Sequence, residues 1–100
     1  MEPIIEIVSK NIYSNSRYNQ KLKDEYVGTL NRITFAEKRI EQLFRTMEYI
    51  LLFNVLHEEI KYITIQKKFF SKHIDVNVYD VLEDYFEKQI HKYNHYLSKI

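Results

Sequence analysis

His91 and His95 stand four residues apart, a spacing that puts two imidazoles on one side of a helix and can offer both to a single metal ion. Asp84 and Glu87 lie on the same side and could add a carboxylate. A helical wheel argues against a working metal centre. With Val78 at zero, the apolar face is centred near about 40°, while His91 falls at about 220°, Asp84 at about 240° and His95 at about 260°. The pair is expected to face solvent, where two histidines hold zinc weakly and nothing shelters a reaction from water. No metal and no cofactor is expected, and His91 and His95 are the candidate ligands if one is held.

Other catalytic patterns fail on residue type or spacing. His57-Glu58-Glu59 resembles the start of a zinc-protease helix, but that chemistry needs a second histidine four residues after the first, and position 61 is Lys61. A single glycine cannot build a phosphate-cradling loop. The absence of cysteine removes a thiolate nucleophile, and there is no Gly-x-Ser-x-Gly elbow. The remaining carboxylate pairs match ordinary charge decoration of helix surfaces. An enzyme is not expected; a metal-dependent one using His91 and His95 is the catalytic alternative.

The most informative polar residue is Asn54, in the middle of the most apolar stretch of the chain, Tyr49 to Leu56. It occupies a heptad a position, where a buried amide either pairs within its own chain or fixes the register of two helices from different chains. Tyr49, Leu52, Phe53, Asn54 and Leu56 are therefore the candidate interaction residues. The nine tyrosines are compatible with an interface, since Tyr combines apolar area with a polar end, and equally with helix packing in which the hydroxyl reaches water.

Charge narrows the partner. Fifteen Lys and Arg stand against fourteen Asp and Glu, a net charge of +1. A protein that works by neutralising phosphates normally carries a basic excess. The stretch from Gln66 through a turn at Ile74-Asp75 to a helix at Val78 loosely follows a helix-turn-helix layout. Its second helix would present Asp80, Glu83, Asp84 and Glu87, which repel phosphate. Nucleic-acid binding is kept as the alternative, through Lys61, Lys67, Lys68 and Lys72, whose plainer role is a solvated surface. No apolar run approaches the ~20 residues that span a bilayer, and MEPIIEIVSK is too acidic and interrupted for a signal peptide. A soluble chain in the cytoplasm of a bacterium or host cell is expected. Ile, Asn, Lys, Tyr and Phe make up 46 of the 100 residues while Ala, Gly and Pro occur once each, the mark of an AT-rich genome, cellular or viral.

Helices must position these residues. Ile4, Ile5, Val8 and Ile12 predict a short first helix with Pro3 in its first turn, ending near Ser14-Asn15-Ser16. Tyr18, Leu22, Tyr26 and Leu30 make a second stripe that Gly28 can bend or stop. Thr34-Phe35-Ala36-Glu37 matches a capping box, so a helix can begin there or run on from the previous one. From Ile33 a heptad passes through Ala36, Ile40, Leu43, Met47 and Ile50, then turns onto Leu52, Phe53, Leu56, Ile60 and Ile63, which predicts one long helix from Thr34 to Phe70. Residues 61–78 alternate enough for a small β-hairpin, but the favoured expectation is one long helix that frays near Ser71 and is followed by an extended linker. Asn77 is the expected N-cap of a C-terminal amphipathic helix whose apolar face runs from Val78 through Leu82, Phe86 and Tyr93 to Leu97.

One all-α domain over residues 1–100 follows, a three- or four-helix antiparallel bundle around the long central helix. One helix cannot bury two apolar faces against so few neighbours. The expected role is therefore a non-catalytic protein–protein interaction, as in a regulator, inhibitor, immunity- or antitoxin-like protein or phage-type host-interaction factor. The expected partner is a protein, with a homodimer foremost.

Overall fold

The computed structural model describes residues 3–100, with side chains from Ile5 onward. Four helices follow in order: α1 (Pro3–Ser14), α2 (Gln20–Arg45), α3 (Tyr49–His73) and α4 (Val76–Ser98). The expected all-α bundle is present, and among the described residues there is no strand. The possible hairpin around 61–78 is not formed. β-Branched residues lower helix propensity only slightly, and burial of one face outweighs that. Here α3 buries Glu59, Ile63, Gln66 and Phe70 at helical spacing through the same segment.

α1 turns Ile5, Val8 and Ile12 inward and ends at a turn held by Asn15, whose Oδ1 accepts from the Arg17 amide at 3.0 Å. Asn19 caps α2, its Oδ1 accepting from the Leu22 amide at 2.8 Å. α2 then buries Leu22, Tyr26, Thr29, Ile33, Ala36, Ile40 and Leu43 in alternating steps of four and three. That unbroken stripe carries the helix through Gly28, which has a helical φ and open space around it, and through the capping-box pattern at Thr34.

The single long helix from Thr34 to Phe70 does not exist. The chain reverses at Thr46-Met47-Glu48, and the two halves pack on each other as α2 and α3. The reversal is a Schellman motif: the Glu48 amide donates to Leu43 O at 3.0 Å and the Met47 amide to Phe44 O at 3.2 Å. Met47 adopts φ 61°, the left-handed position that glycine usually fills. α4 also starts earlier than expected. Asp75, not Asn77, is its N-cap residue, extended at φ −62° and ψ 143°, and Asn77 lies inside the first turn. Arg17 pairs with the Asp75 carboxylate, and the Asp75 amide donates to Tyr18 Oη at 3.0 Å, so the α1–α2 loop fastens the α3–α4 joint.

Chain direction alternates along the bundle. Ser9 and Tyr13 of α1 meet Tyr26 near the start of α2, Arg32 of α2 meets Glu59 of α3, and Lys67 of α3 meets Glu87 of α4. α1 closes the set against α4. Tyr26 sits at the centre, its ring edge-on to Phe70 at 6.1 Å and its hydroxyl bonded to Ser9 Oγ at 2.8 Å. α2 and α3 are joined by a polar ladder. The Gln66 amide nitrogen lies within 3.0 Å of Glu25 Oε1, Thr29 Oγ1 and Tyr62 Oη. One turn away the Arg32 guanidinium grips both Glu59 oxygens and lies 3.8 Å from the Tyr62 ring centroid. α1 has 12 residues against 23 to 26 in the others, so it flanks only part of their length. The end of the bundle that carries the α2–α3 reversal is built from three helices.

Candidate interaction surface

At that three-helix end, α3 begins with Tyr49-Ile50-Leu51-Leu52-Phe53-Asn54-Val55-Leu56, apolar at every position but one. A helix packed from one side can turn only part of such a run inward. Leu52, Val55 and Leu56 take the inward positions. The rest stays outside: Ile50 is 85% exposed, Met47 in the preceding turn 72% and Phe53 50%, with Tyr49 and Leu51 also exposed. Thr46 Oγ1 donates to Glu48 Oε2 at 2.7 Å, and Glu48 is the one formal charge between Arg45 and His57.

Of the five candidate interaction residues, the structure brings Tyr49, Phe53 and Asn54 to the surface and separates them from the other two. Leu52 and Leu56 are buried in the core of this chain. Asn54 is exposed and not buried, because the reversal at Met47 ends the heptad that placed it at an a position. Phe53 leans on His57, ring centroids 4.4 Å apart. Beside it, Met47, Glu48, Tyr49, Ile50, Leu51 and Asn54 line a shallow concavity of about 550 Å³. The Tyr49 ring packs on Phe44, which in turn meets Tyr96 of α4 edge-on at 5.4 Å, so the patch is mounted on a packed aromatic base.

The other candidate groups are dispersed. His91 and His95 are exposed on α4, and no cluster of three or more metal-ligating side chains occurs among the described residues. Asp84 pairs with Lys88 at 3.1 Å, and Glu87 is taken by Lys67. Of the four lysines considered for phosphate, Lys67 is thereby neutralised by α4, while Lys61, Lys68 and Lys72 are exposed. No helix among the described residues is long and apolar enough to cross a membrane.

Sequence reasoning missed the polar ladder, and it missed Phe35. Glu59 and Gln66 continue the inward stripe of Leu52, Leu56 and Ile63 at steps of three and four. Following that stripe alone would have marked both as buried polar groups in need of partners. Phe35 is 73% exposed beside a groove of about 480 Å³ on the outward face of α2 and α3, and nothing in its local pattern distinguishes it from a residue of a helix start. No protein-family model, no curated protein and no solved structure matches this chain.

Proposed function

We propose that the chain is a small non-catalytic protein–protein interaction protein, of the regulator, inhibitor or immunity type, that binds through the helical surface at the α2–α3 end. The observation that carries this is the cluster of Met47, Tyr49, Ile50, Leu51 and Phe53, all exposed at adjacent positions on one end of the bundle. Scattered exposed apolar residues are ordinary on a soluble protein, but a contiguous group of this size is the mark of a surface that meets another protein. A helix face presenting large apolar side chains to a groove or a flat patch is a common recognition mode. Aromatic and Met side chains with little nearby charge match the composition of interface centres.

The test is light scattering on the isolated protein at tens of micromolar, with Ile50→Glu and Phe53→Glu beside the wild type. Both positions are exposed, so the variants should melt as the wild type does. The expected outcome is aggregation or limited solubility in the wild type, relieved in both variants. Identical mass and solubility in all three proteins would contradict the proposal.

A further inference from the structure

The groove on the outward face of α2 and α3 has a floor of Ala36 and Val55, the chain's only alanine opposite a small β-branched residue. Two small side chains facing each other leave a hollow where larger ones would close the surface. Phe35 stands at the edge of this hollow, 73% exposed. Arg39 lines one wall, from α2, and Glu58 the other, from α3. Neither makes a hydrogen bond or an ion pair among the described residues, whereas the adjacent Arg32 and Glu59 grip each other. The face therefore carries a knob, a hole, an unpaired cation in Arg39 and, in Glu58, an anion that Arg32 feels only at longer range, within about two helical turns.

That set is self-complementary. In a two-fold arrangement, residue i of one copy meets residue j of the other and j meets i. From these features we infer that the chain forms a two-fold homodimer through the outward α2–α3 face, Phe35 of each copy entering the Ala36–Val55 hollow of its partner and Arg39 pairing with Glu58 of the partner. The inference rests on the reading of this chain as an interaction protein and names its partner as a second copy of itself. The face is continuous with the apolar end, since Leu51, Val55 and Glu58 follow one another along α3 at helical spacing.

Sedimentation velocity from 1 to 100 μM tests this with wild type, Phe35→Asp, Arg39→Glu, Glu58→Arg, the Arg39→Glu/Glu58→Arg double variant, and Ile50→Glu as a separate probe of the apolar end. All of these side chains are exposed, and melting curves check that each variant folds. The expected result is a wild-type dimer, a dissociation constant raised tenfold or more by Phe35→Asp and by each single charge reversal, and recovery of dimer in the double reversal. A wild-type monomer throughout this range would overturn the inference while leaving a different protein as the partner of the apolar end. A dimer indifferent to positions 35, 39 and 58 but lost in Ile50→Glu would also overturn it, and would place self-association at the end of the bundle. Single reversals that weaken the dimer without recovery in the double variant would overturn the Arg39–Glu58 pairing.

Discussion

At the scale of single residues, two buried polar atoms among the described residues lack a partner, Gln89 Oε1 and Tyr93 Oη, while the Arg32–Glu59 pair is bonded at both carboxylate oxygens. Tyr93 is fully buried, and its hydroxyl has no hydrogen-bond partner among the described residues. An unpartnered buried hydroxyl costs about 1–3 kcal/mol. Tyr93→Phe keeps the ring and removes that cost, so it should stabilise the fold by about 1 kcal/mol, read as a melting temperature about 4–8 °C higher; a lower melting temperature would show that the hydroxyl is satisfied. Glu59 presents the opposite case. Its side chain is nearly enclosed and both of its oxygens accept from the planar Arg32 guanidinium, which also lies over Tyr62. Lysine cannot reproduce either the fork or the stacking. Arg32→Lys should destabilise by about 1 kcal/mol and Arg32→Met by about 2–3 kcal/mol, because the second leaves a buried carboxylate without a cation. Urea denaturation of both variants checks the order, and equal midpoints would refute it.

At the scale of elements, the decisive event is the reversal at Met47. A non-glycine residue in the left-handed region is strained by about 1–2 kcal/mol, so Met47→Gly should raise stability by about 1 kcal/mol with the same Schellman hydrogen bonds. A loss of stability would mean that the Met47 side chain packs more favourably than its exposure indicates. The same residue explains what was legible beforehand. α1, α2 and α4 announce themselves through stripes such as Val8–Ile12, Leu22–Tyr26 and Leu82–Phe86, because one-sided burial writes its period into the sequence. The break between α2 and α3 leaves no such trace: Thr46-Met47-Glu48 contains neither Gly nor Pro, and the heptad passes over it without interruption. A single helix drawn across that turn puts Asn54 inside and Leu52 and Leu56 at the surface, the reverse of their burial in the folded chain. The apolar excess of Tyr49 to Leu56 was legible; which of its residues face outward depends on where the chain turns back.

At the scale of the whole molecule, three tyrosines tie the bundle to pH. Burial raises Tyr26 and Tyr93 above the ordinary value, and burial together with Glu83 pushes Tyr79 up to about 12. An unfolded chain releases these protons near pH 10 while the folded chain still holds them. Stability from this source is complete below about pH 10 and is lost as the pH rises from there toward the folded values. Melting temperatures should be level from pH 8 to about 9.5 and fall beyond it, with a shallower fall in Tyr79→Phe; an unchanged melting temperature at pH 11 would contradict this.

The central claim is that the α2–α3 end exists to be covered, and side-chain accessibility read in solution tests it most directly. Hydroxyl-radical footprinting suits the site because Met47, Tyr49, Phe53 and Phe35 carry reactive side chains and are exposed in the single chain. Tyr13, exposed on α1, serves as the internal control. At nanomolar concentration all five should be oxidised readily. At tens of micromolar, or in extract of the native host, Met47, Tyr49, Phe53 and Phe35 should be protected several-fold while Tyr13 remains as reactive as before. Equal oxidation of all five residues under every condition would show a solvated surface and contradict the account.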